Sequence, residues 1–441
     1  MNISFKKIIL INSIIFTFLY IFLFIIYPSN SSYFECNELV KNNLFNSEIA
    51  YSIPISCDQE TYLIGVYDFE SIYKFDYNYQ TRPLYILNVK IFYDILNIFL
   101  SNSLIHKFLS FILSHIVIIS LAAKFFLDSL SKFKIYIDEK ISFILILFLS
   151  LSPIIKWGVF DSAHQTLTIL QFSMSFYFLA YQFTENKKIY FYSFILGLLA
   201  LANMTFVLPL FFLVFNKLNS IEKIFINFTT LLLSFFIFIT PILSWNVFIN
   251  SMGYEPYNAA LEYWHQFIWL IKYFLTGYEN INFNLANSEY YCMSVPLFIK
   301  CYLADFSKSL LYLFNLILLL LGSYKYVEVE EKELYASLLK KLLFVFLLSF
   351  FFWSFIGWYP PLRFTLYSLG SFLTLLFCIQ FLFINNNKIR NLSGFSYFLY
   401  FLFLNHWNFE EIIKINTGLV ISILLALYIT FEYIYKNILK R

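Results

Sequence analysis

The sequence predicts an all-α polytopic membrane protein with about 11–13 transmembrane helices, short half-helices included, and a large first extracytoplasmic loop. Three observations predict it. The 441 residues are 60% hydrophobic and only 13% charged, about half the charge of a soluble domain. Apolar runs near the roughly 20 residues that cross a bilayer recur along the chain. The segments between them alternate between short basic ones and longer, more acidic ones, as charge asymmetry across a membrane requires. This composition excludes a soluble cytoplasmic enzyme, a disulfide miniprotein and a nucleic-acid binder. Ten glycines leave no Gly-rich nucleotide loop and no Walker or dinucleotide pattern. The 58 Phe and 35 Tyr accompany abundant Ile, Asn and Lys, all with AT-rich codons, so the aromatic excess carries no functional weight.

The first apolar run, 8–27, follows Lys6 and Lys7 and reads as a retained anchor with a cytoplasmic start. A polar stretch, 28–104, is broken by Pro28, Pro54 and Pro83 and forms the first extracytoplasmic loop, with a helix-like stretch from Leu84 to Leu100. Apolar runs resume at 105–127, 141–157 and 164–183, joined by basic segments at 128–140 and 184–188. The run 189–216 is interrupted by Gly197, Asn203 and Pro209 and reads as two half-helices returning to the same side, which keeps Lys217 and Lys223 in the cytoplasm. Further runs lie at 224–247, 304–322, 342–357, 364–384, 392–405 and 416–434, with Lys325, Lys332, Lys388 and Arg390 at cytoplasmic ends. The parity closes with both termini inside, in one integral-membrane domain spanning 1–441. The localisation expected is a bacterial inner membrane.

The cysteines agree with this topology. Cys36 and Cys57 fall in the first outer loop, Cys292 and Cys301 in the outer loop 248–303, and Cys378 stands alone in an apolar helix. Two outer pairs are expected as disulfides in an oxidising compartment.

The first outer loop is net acidic, and its segment 65–88 carries the chemistry. Asp68 and Glu70 stand among apolar residues, a setting expected to desolvate a carboxylate for use as a general base, metal ligand or counter-charge. They precede the turn Gln80-Thr81-Arg82-Pro83-Leu84-Tyr85. Between the third and fourth apolar runs lies Asp161-Ser162-Ala163-His164-Gln165, whose Asp161, His164 and Gln165 share one face in helical geometry. That face could hold a sugar, a leaving phosphate or, together with Asp68, a divalent cation such as Mg or Mn; Asp161 or Ser162 also reads as a helix N-cap. Late in the chain, Trp358-Tyr359-Pro360-Pro361-Leu362-Arg363 puts a guanidinium at an outer helix end, where it can grip a phosphate bidentately or reach lipid headgroups. In the loop 248–303, residues 261–275 repeat apolar side chains at helical spacing around Glu262, His265 and Lys272, an interfacial helix whose polar face could roof a cavity.

A large first outer loop with an acidic motif, then an Arg-Pro-Leu-Tyr turn leading back to the membrane, resembles the GT-C superfamily of polytopic glycosyltransferases. That superfamily includes protein mannosyltransferases and lipid A aminoarabinose transferases. Here Asp68 and Glu70 are separated by Phe69, so either is a candidate base. The resemblance implies transfer of a sugar from a polyprenyl-phosphate-linked donor to an extracytoplasmic lipid, glycan or protein acceptor. It also implies that Asp68, Glu70 and Asp161 act at the reaction centre, that Arg363 or Arg82 binds the donor phosphate, and that His164, Gln165, Tyr85 and His265 contact substrate. The rival expectations are an O-antigen-type polymerase or ligase, which would rely on outer arginines, and a lipid-linked-glycan flippase or transporter, which would need ionisable residues at helix midpoints.

Overall fold

The computed structural model describes residues 4–26, 58–74, 78–99, 104–152, 166–181, 183, 185–215, 221–257, 324–355, 370–384, 386–392, 394–395, 424, 427–428 and 431. These residues are helical and connecting, with no strand among them. The chain divides into two compact units, Met1–Tyr257 and Asn258–Arg441. The cysteine pairs Cys36, Cys57, Cys292 and Cys301, the segment 261–275 and the residues Asp161, His164, Gln165 and Arg363 lie outside the described residues.

In the first unit the helices are α1 (Phe5–Ile26), α2 (Asp58–Tyr67), α3 (Pro83–Phe99), α4 (Leu104–Lys132), α5 (Glu139–Ser150), α6 (Leu167–Tyr181), α7 (Asn186–Ala200), α8 (Val207–Phe215) and α9 (Ile221–Ser251). The described part of the stretch 28–104 is thus mostly helical, and α3 coincides with the helix expected after Pro83. Proline suits that first helical position because its missing N–H would have had no intrahelical partner. Helix α4 runs five residues past the apolar run because Lys124 and Asp128 pair one turn apart at 2.6 Å. It closes in a Schellman cap: Ile135 N–H donates to Leu130 O at 3.3 Å and Lys134 N–H to Ser131 O at 3.0 Å, with Lys134 at φ 61°. Asp138 then caps α5, its Oδ1 accepting from Ile141 N–H at 2.7 Å.

The interrupted run 189–216 does split into two short helices, α7 and α8, which pack against each other. Only one of the three suspected interrupters makes the break. Asn203 adopts extended backbone and its Oδ1 accepts from Thr205 N–H at 3.1 Å and Thr205 Oγ1 at 2.7 Å, starting a short 3-10 turn, Met204–Phe206, that leads into α8. Pro209 sits in the first turn of α8, where it costs no hydrogen bond. Gly197 is inside α7 and serves packing: a Cβ there would stand 2.2 Å from the Phe238 carbonyl oxygen of α9, so the two helices approach backbone to backbone.

Helix α6 is buried from Leu167 to Ala180, the pattern of a helix surrounded by others. It packs on α4 and α8, while α1 and α3 also lie on α4. Between these apolar faces the buried polar groups find partners on different helices. Asn12 of α1 donates to Ser120 Oγ of α4 at 2.8 Å and accepts from Ser150 Oγ of α5 at 2.6 Å.

Polar contacts also show which helix ends share a level. Lys7 at the start of α1 pairs with Glu139 at the start of α5 at 2.7 Å. Lys132 at the end of α4 stands 5.3 Å from the ring centre of Tyr181 at the end of α6. At the opposite ends, Leu84 N–H of α3 donates to Leu201 O after α7 at 3.2 Å. Two helices of the described set are long and apolar enough to cross a membrane: Leu109–Lys132, mostly covered by the rest of the protein, and Asn227–Ser251, mostly uncovered.

In the second unit α10 (Lys332–Phe355) packs on α11 (Gly370–Phe383). Tyr335 meets Phe383 at 5.4 Å between ring centres and Phe346 stacks on Phe372 at 4.5 Å, so the two run antiparallel. Cys378 is a buried thiol in α11.

Gly197→Ala should lower stability by about 1–3 kcal/mol, because the added methyl must push α7 off α9. The check is the midpoint of unfolding of the purified chain in detergent, where Gly197→Val should fall further than Gly197→Ala. An unchanged midpoint in both would contradict the close approach.

Candidate functional site

The acidic segment of the first loop is built as a capped 3-10 turn. Where α2 ends, Asp68 N–H still donates to Ile64 O at 2.9 Å, while Asp68 Oδ1 accepts from Glu70 N–H at 3.1 Å and Asp68 O from Ser71 Oγ at 2.6 Å. Asp68 is therefore the cap of the 3-10 helix Phe69–Lys74. That turn buries Ile72 and Tyr73 and leaves Asp68 and Glu70 exposed. The desolvated setting expected from the neighbouring apolar residues is not what folding produces: those residues turn inward and the carboxylates outward. Gly65 makes this possible, since a Cβ there would already lie 3.2 Å from Ile72 and Ile86. Burial raises the Tyr73 phenol above its ordinary pKa, and the nearby Glu70 and Asp68 carboxylates add to it.

What holds the segment in place is Gln80, 2% exposed. Its Nε2 donates to Tyr73 O at 3.0 Å and to Glu255 O at 3.3 Å, and its Oε1 accepts from Tyr257 N–H. Its own carbonyl accepts from the Trp245 indole at 2.8 Å. One amide thus ties the acidic turn to the end of α9, 165 and more residues away in sequence. Around it Tyr73 packs on Trp245 and Phe248 at 5.8 and 5.3 Å between ring centres, a cluster that shields these hydrogen bonds from water.

Arg82 stands at the start of α3. Its Nη1 donates to the Tyr62 hydroxyl at 2.5 Å. Tyr62 is fully buried and meets Tyr85 edge to face at 5.2 Å. Tyr85 is itself only 1% exposed, so its ring supports Tyr62 from within the fold. Arg82 and Tyr85 thus gather at Tyr62 in α2, whereas Asp68 follows Tyr67, which meets Tyr93 further along α3 at 5.5 Å between ring centres.

Two further contacts reach the second candidate segment. Asn88 of α3 donates to Ser114 Oγ at 2.6 Å, and the next residue of α4, His115, holds Thr166 Oγ1 at 2.8 Å through Nδ1. Thr166 directly follows the Asp161–Gln165 motif in sequence, and α3 and Thr166 are pinned to consecutive residues of one helix. His115 is fully buried, and its Nε2 has no hydrogen-bond partner among the described residues. On the far face of α6, Gln171 donates to Thr205 Oγ1, joining the Asn203 turn in a buried polar chain.

Sequence reasoning missed Gln80, Trp245 and His115. A histidine inside an apolar run is a signal that could have been used, because buried ionisable groups there are costly and rarely idle. Nothing in the sequence pairs Gln80 with Glu255 and Tyr257. Among the described residues no cluster of three His, Cys, Asp or Glu could hold a metal ion; Asp161 and His164, the other proposed ligands, lie outside them. No protein-family model, curated protein or solved structure matches this chain.

Gln80→Leu should cost about 3 kcal/mol, since it removes the buried amide that bonds Tyr73 O, Glu255 O and the part-buried Tyr257 N–H. Asp68→Asn should stay within about 0.5 kcal/mol of the parent, because Asn Oδ1 can still cap the 3-10 turn. Thermal unfolding of both variants in detergent checks the contrast.

Proposed function

We propose that this chain is a polytopic membrane glycosyltransferase that moves a sugar from a polyprenyl-phosphate-linked donor to an extracytoplasmic acceptor. The membrane part of the reading is supported by the surface. Large apolar residues face outward along α9 (Phe228, Leu232, Phe235, Phe236) and along α1 (Leu10, Ile14, Phe18), more than a protein surrounded by water tolerates. Helix α3 has three sectors: Tyr85 and Val89 inward, Lys90 and Asp94 paired at 3.0 Å, and Leu87, Ile91, Ile95 and Ile98 exposed. That division suits a helix lying in a membrane interface.

Sidedness agrees as well. The ends joined by Lys7–Glu139 and Lys132–Tyr181 are those the basic residues assign to the cytoplasm. The first outer loop meets the end of α9 through Gln80, and both are assigned to the outer side.

The observation that carries the enzymatic part is the meeting of α3 and Thr166 on Ser114 and His115. It holds α3, which follows the base-bearing loop in sequence, and Thr166, which follows the Asp161 motif in sequence, on consecutive residues of α4. In the mechanism proposed, Asp68 or Glu70 takes the proton from an acceptor nucleophile, which attacks the anomeric carbon. The bond from that carbon to the phosphate oxygen breaks, and the lipid phosphate leaves with the electron pair. Asp161 assists or holds the acceptor, and a guanidinium stabilises the departing charge. Arg82, whose Nη1 also donates to the Tyr62 hydroxyl, and Arg363 are the candidates for that role.

The test is a glycan-transfer assay on membranes carrying the double variant Asp68→Asn with Glu70→Gln. Transfer should fall at least about a hundredfold, the usual contribution of a general base, at unchanged expression. Full activity would remove the proposed base. Loss of activity in Arg363→Gln with the carboxylate variants intact would point to a polymerase or ligase instead.

A further inference from the structure

Where α4 passes into α5, residues 124–142 and the start of α1 enclose a cavity of about 250 Å³. Its lining is divided by chemistry. Ile8, Leu127, Ile135 and Ile137 form an apolar wall, while Lys124, Asp128, Ser131, Lys134 and Ser142 face the same space. The charges are unequal. Lys124 and Asp128 neutralise each other at 2.6 Å, whereas Lys134 makes no ion pair among the described residues.

The placement of Lys134 is also built. It occupies the left-handed cap position after α4 at φ 61°, a position that glycine fills without strain and a lysine does not. The walls are fixed independently: Lys7 holds Glu139, and Asp138 caps α5. A cavity with one unmatched ammonium, two hydroxyls and an apolar wall matches a molecule that is anionic at one end and greasy at the other.

We propose that this cavity binds the phosphate headgroup of an anionic phospholipid, with Lys134 as its charge partner, Ser142 as a hydrogen-bond donor, and the first acyl carbons against Ile8 and Leu127. The proposal rests on the membrane reading but not on the glycosyltransferase reading. The site lies at the helix ends that Lys7 and Lys132 mark, opposite those bearing Gln80.

The experiment uses the full chain purified in a nonionic detergent and followed by native mass spectrometry. It is titrated with phosphatidylglycerol, with diacylglycerol and with inorganic phosphate. Phosphatidylglycerol should bind saturably, diacylglycerol should not, and inorganic phosphate should fail to displace the lipid at equal concentration. Lys134→Gly should weaken phosphatidylglycerol about fivefold, the factor one lysine contributes near an anionic surface, while Lys134→Arg retains it. In lipid-free detergent Lys134→Gly should melt at or above the parent temperature, because glycine accepts the backbone.

Equal lipid binding by Lys134→Gly and the parent would overturn the site, and so would equal retention of diacylglycerol. Displacement by inorganic phosphate would overturn the lipid assignment. Should Lys134→Gly melt lower, Lys134→Gln decides, since it keeps the backbone and drops the charge: parent-like binding sinks the proposal, and a fivefold loss sustains it. Release of the chain from membranes by alkaline carbonate would overturn the membrane reading itself, separately from these results.

Discussion

Hydrogen bonds along α4 decide which helices surround it. Apolar helix faces attract one another with little selectivity, because one Leu or Phe ridge packs about as well as another. A buried hydroxyl or amide is selective, since leaving it unpaired costs more than the pairing gains. Ser120 takes α1 through Asn12, which in turn takes α5 through Ser150. Ser114 takes α3 through Asn88, and His115 takes the start of α6 through Thr166. Three neighbours are thus assigned by polar atoms on α4 and a fourth by Asn12 of α1.

The candidate site follows from that arrangement together with Gln80. The acidic turn has no large apolar face of its own; it contributes Ile72 and Tyr73 to the interior and presents two carboxylates outward. Such a turn would be mobile if its backbone were left to itself. Gln80 prevents this by bonding both to the turn and to the chain beyond α9, inside a ring of Tyr73, Trp245 and Phe248. The charged groups of the site are therefore exposed while the atoms that position them are buried, a division of labour suited to binding a polar substrate at a defined place.

The half-helix pair shows the same economy. Asn203 caps the 3-10 turn that follows α7, and Thr205 carries the polar chain on to Gln171 of α6. A break in the backbone within an apolar bundle is tolerated when side chains satisfy the freed groups. Gly197, which looks like a second breaker, instead lets α9 approach α7 to backbone contact.

Much of the architecture was legible in the residues alone. Hydropathy and periodicity placed the helices, Pro83 marked the start of α3, and the split of 189–216 was visible in its composition, because these features depend on local propensity and on the apolar content of short stretches. Asp68, Glu70 and Arg82 could be singled out because their residue types stand out in an apolar chain. Exposure could not be read the same way. Asp68 and Glu70 sit in an apolar stretch of sequence, yet the 3-10 turn sends their side chains outward, and only the packing of Tyr73 on Trp245 and Phe248 sets that orientation. Tyr73 apart, the partners of Gln80, His115 and Asn12 are separated from them by 51 to 177 residues. Periodicity carries no information at that range, so the choice of partner belonged to the tertiary structure, where a buried polar atom accepts whichever group the chain brings to it.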